Sequence, residues 1–170
     1  MQRTSFETLD CPIARSLECI GEWWSLLILR DAFLGATRFD DFRSRLSIAP
    51  NMLTRRLHTL TERGLFERRQ YSERPPRFEY VLTESGRDLF PVLASLGTWG
   101  RRHVAQDTTV QIADRRSGAL LDPVVVDRTT LAPISAETAG FVRIAPARAP
   151  PAKRPPRKTA ARQRRRHREC

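Results

Sequence analysis

The chain has 170 residues and a formal net charge of +11; the length fits one domain of ordinary size with an appendage. The charge is lopsided: residues 146–170 hold ten Lys or Arg against the single acid Glu169, which leaves the first 145 residues at only +2. Three cysteines, Cys11, Cys19 and Cys170, show no CxxC and no Cys/His zinc spacing, which argues against a disulfide scaffold, a structural metal or a secreted protein, and no apolar run is long enough for a membrane span.

In chain order, Cys11 or Asp10 caps a first helix opened by Pro12, with Ile13, Leu17 and Ile20 at i, i+4 and i+7 and Gly21 closing it. Residues 23–34 form a second helix, apolar nearly all round, which predicts the central core helix of a small domain. Thr37 and Asp40 make a T-x-x-D capping pattern ahead of Phe39, Phe42 and Leu46, a short third helix. Ser47, Ile48 and Ala49 form the turn into a fourth helix, closed by Gly64. Leu53, Leu57 and Leu60 line one side of that helix. Asn51, Arg55, His58 and Glu62 fall on the other, flanked by Thr54 and Arg56. Two short helices joined by so tight a turn define a helix-turn-helix, and the polar-to-basic face of the second suits the major groove of DNA.

After Gly64 the period falls from 3.6 to 2. Residues 66–71 and the alternating Phe78, Tyr80 and Leu82 predict two strands, joined by a Pro-rich loop over 72–77 that carries Arg74 and Arg77. A hairpin directly after a helix-turn-helix is the wing of a winged helix. Thr83 caps a long helix running to about Val104, with Leu89, Val92, Leu93, Leu96, Trp99 and His103 along one broad face. Beyond it, the alternating Val110 and Ile112, the turn at 115–118 and the runs at 123–126 and 141–144 predict a small β-rich appendage, with no internal repeat apparent. From Pro146 the chain is Pro, Ala, Arg and Lys with nothing large enough to build a core, which predicts disorder. The expected class is mainly α with a small β-hairpin wing (α+β), divided into a winged helix-turn-helix over 1–105, the appendage over 106–145 and the basic tail over 146–170.

Several phrases occur in an order and spacing that resemble the HxlR-type regulators, a MarR-like winged helix-turn-helix group. They are Cys11-Pro12-Ile13-Ala14-Arg15, Trp24-Ser25-Leu26-Leu27-Ile28-Leu29-Arg30, Arg38-Phe39-Asp40-Asp41-Phe42 and Leu53-Thr54-Arg55-Arg56-Leu57. Gly64-Leu65, the wing run from Pro75 to Tyr80 and Leu82-Thr83-Glu84-Ser85-Gly86 complete the match, which spans about Cys11 to His103. The resemblance implies a homodimeric transcription factor, a repressor, bound to an inverted-repeat operator. Many relatives carry serine where Ala49 stands. Alanine offers no side-chain oxygen to the first N–H groups of the helix, at a cost of roughly 0.5–2 kcal/mol, and those groups are left to face a phosphate.

The DNA-contacting set read from the sequence is Arg38, Pro50, Asn51, Thr54, Arg55, Arg56, His58, Arg74 and Arg77. Arg55 pairs with guanine and Asn51 with adenine on general grounds, and Thr54 suits a thymine methyl or a phosphate. Arg56 lies nearer the core side, which assigns it to phosphate or internal pairing. Arg38 and Arg43 suit phosphates, while Arg74 and Arg77 suit the backbone or minor groove. Leu89, Leu93, Leu96 and Trp99 are the expected dimer interface, because that helix carries more apolar surface than one small wing domain covers. Cys11 stands where some relatives of the resembled family sense electrophiles or oxidants, and a helix N-terminus favours the reactive thiolate. Cys19 on the same helix reads as core.

The expected partners are double-stranded DNA, a second copy and a small electrophile or other effector. No cofactor, metal or membrane is expected, and the expected location is the cytoplasm, at the nucleoid. The rival reading is a nucleoid or architectural protein driven by the basic tail. Neither a Gly-rich phosphate loop nor a Ser/His or carboxylate set points to an enzyme.

Overall fold

A computed structural model describes residues 5–108 and 110–143. Helix α1 (Pro12–Ile20) takes Pro12 as its first residue, where a missing N–H costs nothing, and leaves through Gly21, whose N–H donates to Leu17 O at 2.7 Å. Helix α2 (Trp23–Phe33) supplies the fully buried Ile28 and Leu29, yet it is not covered all round as its composition predicts. Trp23 is 75% exposed and the residue that ends the helix, Leu34, is 58% exposed.

Helix α3 (Phe39–Leu46) begins one residue later than the Thr37 and Asp40 pattern predicts. Asp41 Oδ2 accepts from the N–H of Arg38 at 3.1 Å, while the carbonyl of Thr37 accepts from Tyr80 N at 2.7 Å. The sheet claims Thr37, and the cap passes to its neighbour. The chain then turns at Ser47, held at φ +50°, a conformation that a short polar side chain tolerates better than a branched one. Helix α4 (Pro50–Glu62) follows, with Leu53, Leu57 and Leu60 fully buried against Phe42, Ile48 and Phe66. This is the leucine stripe the periodicity predicts.

Strands β1 (Phe66–Glu73) and β2 (Pro76–Leu82) pair antiparallel from Phe66 opposite Leu82 to Glu73 opposite Pro76, with a bulge between Gln70 and Ser72. The ladder therefore runs through most of the predicted 72–77 loop, leaving only Arg74 and Pro75 at the tip. Arg38 adds a bridge to Glu79 on the other side of β2. Phe66 stands edge-on to Phe42 and Tyr80, at 6.2 and 6.5 Å between ring centres, and so locks the wing onto the helices.

Thr83 caps as expected, its Oγ1 accepting from Gly86 N at 3.0 Å. The long helix predicted after it is two helices, the single turn α5 (Glu84–Arg87) and α6 (Phe90–His103). Pro91 explains the break: it has no N–H to bond back to Arg87, and it fits only the first turn of a new helix.

The predicted appendage contains no named strand among the described residues. Residues 112–134 instead form one unit twice, offset by thirteen residues, although no repeat is apparent in the sequence at first reading. Asp114 Oδ1 accepts from Arg116 N (3.0 Å), Ser117 N (2.7 Å) and Ser117 Oγ (2.8 Å). Asp127 Oδ1 accepts from Thr129 N (3.1 Å), Thr130 N (2.8 Å) and Thr130 Oγ1 (2.9 Å). Bridges Ala113–Leu120 and Val126–Pro133 close the two turns, and Gly118 at φ +73° corresponds to Leu131 at φ +57°. A carboxylate that bonds the backbone two and three residues on is the local device that makes each turn.

Residues 135–143 belong to a second unit. There the N–H groups of Thr138 and Ala139 donate to Ser135 O, and 141–143 form no strand. The expectation of a disordered tail over 146–170 lies outside the described residues.

Candidate DNA-binding surface

The buried leucines of α4 fix which of its side chains reach solvent. Asn51, Thr54, Arg55 and His58 are all exposed, and Pro50 opens the helix beside them. Thr54 Oγ1 donates to Pro50 O at 3.0 Å, so its hydroxyl is engaged by the helix's own backbone. Arg55 Nη2 reaches Met52 Sδ at 3.4 Å, a weak acceptor that leaves the guanidinium free to exchange. His58 Nε2 lies 3.3 Å from Glu62 Oε1 on the same face. No side chain caps α4 at Ala49, and the first bond inside the helix is Leu53 N to Ala49 O. The N–H groups of Asn51 and Met52 therefore have no partner within the helix.

Arg56 departs from that set. Its side chain is only 11% exposed and its Nη2 lies 3.0 Å from Glu22 Oε2, while Nε has no partner. It ties α4 to the start of α2 and does not reach the exposed face, so of the two roles read for it, internal pairing is the one its position allows.

The wing carries more basic groups than the sequence reading names. Arg74 at its tip and Arg77 near the start of β2 are exposed. Arg68 stacks on Phe78 at 3.4 Å from the ring centre, and Arg69 bonds Glu79 Oε1 through Nε and Nη2 at 2.9 and 2.8 Å. Arg38, whose backbone bridges to β2, lays its guanidinium over Tyr71 at 4.7 Å. The strand alternation that reveals β1 also puts Arg68 and Arg69 on opposite faces, a signal available from the sequence. On α3, Arg43 lies 3.8 Å from Asp40.

Away from this surface, Leu89 and Leu93 pack against the chain's own core, whereas Leu96 and Trp99 are 46% and 56% exposed. Ile13 and Leu17 of α1, together with Trp23 and Val92, are also exposed. Cys11 and Cys19 are free thiols, both half-buried. Cys11 is the N-cap of α1, and Cys19 packs against the core.

A helix-turn-helix whose second helix shows a polar face over buried leucines, followed by a hairpin, defines a winged helix-turn-helix. The family model described as HxlR-like helix-turn-helix matches residues 19–108. The chain belongs to that family and is a transcriptional regulator with a DNA-binding helix-turn-helix. An HTH-type transcriptional regulator of Mycobacterium tuberculosis (strain CDC 1551 / Oshkosh) is 40% identical over 116 residues, 67% of this chain and 73% of the relative. The crystal structure of PA1607, assigned as a transcription factor, has a TM-score of 0.74 at 37% identity and covers 83% of this chain and all of its own. PA1374 from Pseudomonas aeruginosa, likewise assigned, has a TM-score of 0.59 at 48% identity, over 81% of this chain and 94% of its own. Among the described residues no helix is long and apolar enough to cross a membrane.

Proposed function

We propose that the protein is a homodimeric repressor that reads an inverted-repeat operator with α4 in the major groove. The observation that carries this reading is the exposed row of Asn51, Thr54, Arg55 and His58 above a fully buried leucine stripe. Arg55 and Asn51 read base edges, guanine and adenine respectively, and Thr54 presents its methyl to thymine. The uncapped start of α4 suits a phosphate oxygen, since free N–H groups and the positive end of the helix dipole both favour an anion there. Arg38, Arg43, Arg74 and Arg77 hold the backbone, and the basic tail over 146–170 adds sequence-independent affinity. Exposed Leu96 and Trp99 support a second copy as the partner of α6. Leu89 and Leu93 are taken up internally and Arg56 is taken up by Glu22, so neither group contributes contacts in this reading.

Cys11, half-buried at a helix N-cap, is the sensing thiol of the proposal, with a small electrophile as effector. Diamide should release wild-type protein from DNA and leave Cys11→Ser bound; release of both assigns Cys11 to structure.

The test of the main reading is a gel shift on a duplex selected by the protein from a random library, against its scrambled sequence, at two salt concentrations. Arg55→Ala should cost about 1–3 kcal/mol on the selected duplex and relax the preferred base. Removal of 146–170 should weaken both duplexes alike and flatten the salt dependence. Equal binding of both duplexes by wild-type protein favours the architectural reading, in which the tail does the work. Sedimentation of the full chain tests the dimer, and a reporter gene placed behind the selected duplex tests repression.

A further inference from the structure

Helices α2 and α6 and the chain from Val110 to Leu121 line a half-open cavity of about 400 Å³ that DNA reading does not use and that shares only Leu96 with the face of α6 proposed for pairing. Its size falls in the range of small-molecule sites, roughly 300–1,000 Å³. The walls are apolar, with Phe33, Phe90, Leu93, Ile112 and Leu121 among them. Three features mark it as a site for a ligand of definite chemistry.

The first is charge. Arg30, Arg101 and Arg115 line the cavity and no carboxylate does. Two of the three are engaged elsewhere. Arg30 bonds Asp31 Oδ1 at 2.8 Å, and Arg101 bonds Gln111 Oε1 at 2.9 Å and Asp122 Oδ1 at 3.3 Å. Arg115 has no partner among the described residues, so the cavity keeps one uncompensated positive charge. The second is a polar group with nothing to bond. Thr98 is 8% exposed, lines the cavity, and its hydroxyl has no hydrogen-bond partner among the described residues. Its oxygen is not among the fully enclosed unpartnered atoms, so it is open to the cavity and free to donate to a ligand. The third is space. Gly97, in the middle of α6, also lines the cavity, and a Cβ built there would meet nothing within 4 Å. Glycine within a helix costs about 1 kcal/mol relative to alanine, and no close contact at Gly97 requires it.

We propose that this cavity binds a small apolar carboxylic acid, its hydrocarbon body against α2 and α6 beside Gly97 and its carboxylate on Arg115, with Thr98 donating a hydrogen bond. A guanidinium at the rim of an apolar wall selects an amphipathic anion over an apolar molecule of the same shape, because only the anion forms a charge-assisted bond there. The site is independent of the DNA reading, and its test contains no DNA.

The probe is 2-naphthoate, titrated calorimetrically into the full chain, with 2-naphthylmethanol as the uncharged molecule of the same shape. Wild-type protein should take up one naphthoate per chain saturably and bind the alcohol at least tenfold more weakly. Arg115→Gln should lose about fivefold or more for naphthoate while leaving the alcohol unchanged. Gly97→Leu should abolish binding of both by filling the space, with helix content and melting temperature kept. Thr98→Val, nearly identical in shape, should weaken naphthoate a few-fold. The proposal is overturned by an absence of saturable naphthoate binding, by equal affinity for the alcohol, or by a Gly97→Leu protein that binds as wild type does.

Discussion

Residues 12–104 and residues 112–134 are held by different forces. In the winged helix, Leu53, Leu57 and Leu60 reach zero exposure only because α2, α3 and the wing all close over them. In the two Asp-centred units, Leu120, Val124 and Leu131 stay 66%, 66% and 72% exposed, and order comes from a carboxylate that satisfies its own turn. Burial is a collective interaction, so damage to it spreads. A turn is private, so damage to it stays where it is made.

The sharpest way to break that contrast is to cut the shared core. Leu57→Ala should destabilise the whole winged helix by about 2–5 kcal/mol, read as one cooperative shift in thermal denaturation. The equivalent cut in the appendage, Leu131→Ala, should move that transition by less than about 0.5 kcal/mol. An intermediate effect is expected at the α2–α4 tie. Glu22→Ala leaves the Arg56 guanidinium enclosed beside an Nε already without a partner, and should cost about 1–3 kcal/mol. Glu22 is itself one-third exposed, which keeps the figure below that of a fully enclosed pair.

Within the appendage the two units can be set against each other. Gly118→Ala forces a side chain into φ +73° and should cost about 1 kcal/mol of local order. Leu131→Gly relieves the same conformation, and the greater freedom of unfolded glycine offsets the relief to within about 1 kcal/mol. Amide exchange at residues 112–134 reads both. If Gly118→Ala loosens the winged helix as well, the two regions are not separately held.

The smallest effect is a pH response confined to the turns. The backbone N–H of Ser117, then its hydroxyl and the N–H of Arg116, hold the Asp114 carboxyl below its ordinary value; Thr130 and Thr129 do the same for Asp127. A depressed folded pKa means that the turn is supported at neutral pH and loses that support as the pH falls through the folded value. The amides of Ser117 and Thr130 should therefore lose protection in acid, below the usual aspartate range near ~3.9. Protection that persists there shows that the carboxylates do not hold the turns.

What was legible follows the same division. Helices α1 to α4 and the hairpin can be read because Pro12, Gly21, Pro50 and Gly64 punctuate a clear change of period. The cap of α3 shifted because Thr37 is recruited by β2, a long-range event. Pro91 announces the break before α6, and the wide apolar face masked it. Arg56 sits on the flank of α4 by periodicity alone, and only Glu22, far away in sequence, decides that it turns inward. The exposed set on α4 needed nothing beyond the leucine stripe. The repeat stood in plain letters, Asp-Arg-Arg-Ser-Gly-Ala at 114–119 against Asp-Arg-Thr-Thr-Leu-Ala at 127–132, but Ser for Thr and Gly for Leu hid the equivalence of their roles.

The doubled turn also gives the chain a unit of length. Each copy closes its own bonds, Asp114 N to Ala119 O and Asp127 N to Ala132 O, and borrows none from the other for that closure. Only the first copy walls the apolar cavity. The thirteen-residue unit is thus self-closing, and the second copy can be altered without touching the residues that wall the cavity or the exposed row of α4.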